Sequence, residues 1–68
     1  MTSGLLARAR TLITRAKREG INLGDIAREI DVSNAWISAF RLGKIPNPGV
    51  LTIEKLIRAL EVALGNSR

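Results

Sequence analysis

Few side chains in this chain can do chemistry. There is no cysteine and no histidine, which excludes disulfides, thiolate metal sites and imidazole acid–base catalysis. The six carboxylates, Glu19, Asp25, Glu29, Asp31, Glu54 and Glu61, are scattered, and nothing among them resembles a paired catalytic site. Glu54 and Arg58 are instead spaced for a weak surface pair on a helix. Thr2-Ser3-Gly4 lacks the lysine-serine signature of a phosphate-binding loop and reads as a helix cap. Hydrogen bonding and charge remain: Ser33, Asn34 and Ser38 in one short stretch, Trp36 among them, and Arg41 and Lys44 just beyond. That inventory suits recognition of a partner rather than turnover of a substrate, so neither an enzyme, a metal nor a cofactor is expected.

These residues lie in or beside the twenty-residue run Leu23–Leu42, LGDIAREIDVSNAWISAFRL. It reads as two short helices joined by a tight turn, followed at once by the loop GKIPNP. Ala27 falls where two helices must touch closely, and Ile26, Ile30, Val32, Ile37 and Phe40 surround it at helical spacing. Small polar side chains open the second segment. Together these features outline a helix-turn-helix, whose second helix lies in the DNA major groove. Eleven Lys and Arg against six Asp and Glu give +5 at pH 7, which attracts a polyanion, either nucleic acid or an anionic membrane surface. Trp36 and Phe40 are the only aromatic residues, too few for the stacking platform of a single-strand binder.

Sixty-eight residues, 46% of them hydrophobic, predict one small domain, 1–68, with marginal stability or stability shared with a partner. A first helix runs from about Gly4 to Arg18 behind a Thr2/Ser3 cap. Leu5, Leu6, Ala9, Leu12, Ile13 and Ala16 form its apolar stripe, and Gly20 ends it. Asn22 caps a second helix from about Leu23 to Ile30, with Asp25 near its positive end. Asp31 falls at the turn, Ser33 caps a third helix reaching about Leu42, and Gly43 stops it. Pro46 and Pro48 stiffen the next loop. A fourth helix begins near Pro48 or Gly49 and buries Ile53, Leu56, Ile57, Leu60 and Leu64, with Gly65 as its stop and residues 66–68 as a frayed tail. The expected fold is a compact all-α domain of four helices, or five. No apolar run approaches the roughly 20 residues needed to span a bilayer. Arg8, Arg10 and Arg15 interrupt any signal-peptide pattern. A cytoplasmic location and no membrane partner are expected, although the basic first helix is itself amphipathic.

At Leu23–Leu42 the chain resembles the helix-turn-helix of the Cro/CI-type repressor family of phages and bacteria. The family's alanine at the fifth motif position is matched by Ala27. Its buried aliphatics at the fourth, eighth, tenth, fifteenth and eighteenth positions are matched by Ile26, Ile30, Val32, Ile37 and Phe40. The preceding and following helices have the family's apolar spacing, and VSNAWISAF…GKIPNPG looks like short prophage-encoded regulators. Two positions depart from the pattern. Asp31 stands where glycine is usual, a residue that enters the left-handed region more readily than most. Leu23 stands where a glutamine often braces a phosphate.

The resemblance implies a lambda-repressor-like domain whose recognition helix, about 33–42, faces bases with Ser33, Asn34, Ala35, Ser38 and Ala39, and Leu42 near the far end. Asn34 is the sharpest of these, because its amide can pair bidentately with adenine, worth roughly 1–3 kcal/mol of discrimination; the plainer alternative is a polar residue filling a first helical turn. Phosphate contacts are expected from Arg41, Lys44, Asn47, Lys17 and Arg18, and from the Trp36 indole N–H, although Trp36 also suits partial packing and Asn47 also suits capping the fourth helix. With no Arg, Lys or Gln on the recognition surface before Arg41, shape and backbone contacts should contribute more than direct readout. The implied function is a sequence-specific double-stranded DNA-binding regulator, a phage or prophage Cro-type repressor that occupies a palindromic operator as a homodimer, without a small-molecule ligand. Val62 and Leu64 are the first candidates for the dimer surface, with Leu5 and Leu51 behind them. The alternative is a protein-interaction module, an accessory factor or antitoxin, using the same fold with only secondary DNA binding.

Overall fold

The apolar stripes dictate four helices. The computed structural model describes residues 2–45 and 48–65 and contains them in the order α1 (Thr2–Arg18), α2 (Leu23–Glu29), α3 (Asn34–Arg41) and α4 (Val50–Ala63). Among the described residues there is no strand and no fifth helix. Two boundaries differ from the sequence reading. Thr2 and Ser3 belong to the first turn of α1 instead of preceding it. Pro48 stands outside α4, because Gly49 takes the extended N-cap conformation at φ −66° and ψ 142° and leaves Val50 as the first helical residue. Pro46, Asn47 and the expected tail 66–68 lie outside the described residues.

The helix ends are fixed by local chemistry. Asn22 accepts from the Gly24 N–H at 2.8 Å and opens α2. Ser33 accepts from the Trp36 N–H at 3.0 Å and opens α3. Three helices close by the same paired bonds. After α3, Lys44 N–H donates to the Ala39 carbonyl and Gly43 N–H to that of Phe40, with Gly43 at φ 72°. After α2, Val32 N–H donates to Ala27 and Asp31 N–H to Arg28, with Asp31 at φ 65°. After α1, Ile21 and Gly20 repeat the arrangement on Ala16 and Lys17. This is the Schellman closure, which needs one left-handed residue and satisfies two otherwise orphaned carbonyls. Asp31 supplies that residue without being glycine.

The core joins all four helices. Ile13 of α1, Phe40 of α3 and Ile53, Leu56 and Leu60 of α4 are fully buried, and among the described residues no polar side chain is buried with them. Ala27 is 2% exposed, as expected where α2 meets its neighbours. α1 packs most extensively on α4, whereas α3 leans on α1 and α2 and its backbone stays more than 8 Å from that of α4. The radius of gyration is 10.8 Å, against about 11 Å for a fully compact chain of this length. Among the described residues two ion pairs decorate the surface, Arg15 with Glu19 at 3.0 Å and Arg8 of α1 with Glu61 of α4. The expected Glu54–Arg58 pair is not formed, consistent with the few tenths of a kcal/mol that an exposed pair at this spacing offers against side-chain freedom. No described helix is long and apolar enough to cross a membrane.

Candidate nucleic-acid interface

Burying Ile37 and Phe40 turns the opposite side of α3 outward. Asn34, Ala35, Ser38, Arg41 and Leu42 are exposed there, and Ala39 is half-buried at the edge. Leu42 is 66% exposed, a large apolar side chain at the end of an otherwise small polar face. The backbone of α4 stays more than 8 Å from that of α3, and no described element covers this face. Ser33 belongs to the same end, but its oxygen already accepts the Trp36 N–H. Its hydroxyl proton is what it still has to offer.

The Asn34 amide has a seat that the sequence alone does not announce. A Cβ placed on Gly24 would lie 3.3 Å from Asn34 Oδ1 and 3.0 Å from Asn22 Oδ1. The bare Cα of Gly24 therefore lets two asparagine side chains share one small space, where the N-terminal ends of α2 and α3 meet. One of them caps α2; the other, Asn34, is exposed on the outward face of α3. Leu23 is half-buried against the core.

At the other end of α3 the structure adds a residue that the sequence reading passed over. The Arg10 guanidinium of α1 lies over the Phe40 ring, 5.8 Å from its centroid. Its Nη2 would be 3.5 Å from a Cβ on Gly43. Exposed Arg10 thus stands beside the segment that carries Arg41 and Lys44, and three cations converge on the C-terminal end of α3. No acid of this chain pairs with any of them among the described residues. The carbonyl end of a helix favours such cations, and unpaired they also suit a phosphate. The available signal was Arg10 lying on the flank of the α1 stripe, but only the fold shows that the flank adjoins α3.

Trp36 is half-buried and stacks on Phe40 with ring centroids 5.3 Å apart and planes 3° from parallel. Packing thus accounts for much of this residue, and it braces the inner edge of α3. Lys17 and Arg18 are exposed on the last turn of α1. Arg18 lines an open groove on that helix with Arg10, Thr11, Thr14 and Arg15. Asn47 lies outside the described residues. No group of three or more carboxylates, histidines or cysteines is gathered among the described residues.

Charge is divided between the elements. Five of the eleven cations sit on α1, and Arg41 and Lys44 add two at the end of α3, while α4 carries two acids and two bases. The α1/α3 side is consequently the basic side of the molecule. No protein-family model, curated protein or solved structure matches the chain.

Proposed function

We propose that this chain is a sequence-specific double-stranded DNA-binding regulator of helix-turn-helix type, in which α2, the Asp31 turn and α3 form the motif and α3 enters the major groove. The carrying observation is the outward face of α3: small hydrogen-bonding side chains along its length, with Arg10, Arg41 and Lys44 unpaired at one end. Asn34 reads a base edge, and Ser38 and the Ser33 hydroxyl add contacts that tolerate either base type. Ala35, Ala39 and Leu42 are apolar and suit thymine methyls. The cations, with Lys17, Arg18 and the Trp36 indole at the margins, engage phosphates that set the register. Function then follows from occupancy: a two-fold pair of molecules on an operator excludes polymerase, as in a phage Cro-type repressor.

Selection of duplex sites from random DNA tests this reading. Selected and scrambled sites are then compared at a salt concentration where the Debye length is about 8 Å. A palindromic motif preferred by roughly 10³-fold or more supports an operator-binding regulator. Weak enrichment that vanishes with added salt overturns it and leaves charge-driven contact. The shortness of the polar side chains on α3 would then favour a protein partner for the same face.

A further inference from the structure

The face of α4 turned away from the core carries a pattern of its own. Leu51 and Val62 are 64% and 54% exposed, near opposite ends of the helix. Their spacing of eleven residues, three helical turns, puts them on one side. Between them along the same side stand Glu54, Lys55 and Arg58, and Glu29 of α2 faces the shallow groove that Lys55, Arg58 and Val62 line. None of these four charged residues is ion-paired among the described residues.

We infer that this face binds a second copy of the chain, with the two α4 helices antiparallel about a two-fold axis near Leu56. In that register Val62 of each copy lies on Val50 and Leu51 of the other, and Glu54 of each faces Arg58 of the other. An isologous contact must be complementary to itself. A surface with two acids, two bases and an apolar residue at each end meets that condition, and the bases of α1 and α3 do not. Elsewhere a second molecule of charge +5 meets repulsion; here the charges cancel locally. Leu64 and Leu5, the other sequence candidates, are half-buried against the core and contribute less. The contact also leaves the outward face of α3 free, since the α3 backbone stays more than 8 Å from that of α4. It names the surface that a two-fold DNA reading needs, yet it is tested without DNA, so the two readings fail separately.

The experiment is sedimentation of the full chain over protein concentrations from about 1 μM to about 1 mM, a range suited to a contact no larger than one helix face. The wild type is expected to pass from monomer to dimer. Glu54→Arg and Arg58→Glu should each weaken the dimer by at least about tenfold, because each sets two like-charged pairs across the axis. Mixing the two variants should restore association as a heterodimer, since the copies then present arginines to glutamates at both crossings. Far-UV circular dichroism of each variant confirms that these exposed substitutions leave the fold intact. A wild type that stays monomeric, reversals without effect, or a mixture that fails to associate would each overturn the inference.

Discussion

At the scale of single residues, backbone conformation and side-chain space make sharper statements than residue type. Asp31 holds φ 65° at the α2–α3 turn, a region that costs a residue bearing a Cβ roughly 1–2 kcal/mol, less for aspartate than for most. Asp31→Gly removes that cost and is expected to raise stability by up to about 1 kcal/mol, partly offset by the greater freedom of glycine in the unfolded chain. Asp31→Ala should lower it. Thermal unfolding checks the order Gly above Asp above Ala, and any other order means that the side chain contributes something besides its conformational preference. Gly24 makes the complementary case, because a methyl there would press on both Asn22 and Asn34. Asn34→Ala is expected to relax base preference at one position of each half-site, by roughly 1–3 kcal/mol. Gly24→Ala should reproduce part of that relaxation by displacing the amide, and should also weaken the α2 cap. Competition binding across single-base variants of the selected site measures both; unchanged preference in Asn34→Ala would remove this residue from the readout.

At the scale of elements, helix placement was legible because caps, stops and apolar stripes agree. Asn22, Ser33, Gly43 and the Ile53–Leu60 stripe each indicate the same boundaries or faces that the structure has. The starts of α1 and α4 were less legible, since Thr, Ser, Pro and Gly are acceptable both just inside and just outside a first turn. Side-chain partners across elements were not legible at all. Periodicity gives the face of α1 on which Arg10 lies, but not that Phe40 and Gly43 stand opposite. Likewise, i,i+4 spacing pointed to Glu54–Arg58, whereas Glu61 pairs with Arg8, fifty-three residues away in sequence. The Arg10 placement leads to a prediction that separates packing from charge. Arg10→Met keeps an apolar stem over Phe40 and removes the cation, so unfolding should shift by less than about 1 kcal/mol. The slope of log affinity against log salt should fall by about one, as for loss of a single phosphate contact. Lys44→Ala should flatten the slope to a similar degree. A slope unchanged in Arg10→Met would place this cation off the DNA.

At the scale of the whole molecule, the division of charge suits the proposed division of tasks. On that proposal a basic α1/α3 side meets a polyanion, and an electroneutral α4 side meets its own copy. These tasks are coupled through the spacing of half-sites. The chain measures 28 × 25 × 20 Å, and a pair of copies has to set its two α3 helices roughly 34 Å, one DNA turn, apart. Joining two readers turns the second contact into an intramolecular event, with gains that reach about 10²–10⁴-fold when the geometry matches. The combined variant Leu51→Ser/Val62→Ser isolates this term, because it changes no charge and lies outside α3. Its affinity for a duplex with one half-site, and the salt slope there, should equal those of the wild type. On a duplex with two half-sites one turn apart, the wild type should bind at least about tenfold more tightly than the variant. The wild type's advantage should disappear when the half-sites are moved half a turn out of phase, since the copies would then face opposite sides of the duplex. Equal losses on one and two half-sites would mean that the α4 face supports the DNA contact or the fold itself, and the division of tasks between the two sides would not hold.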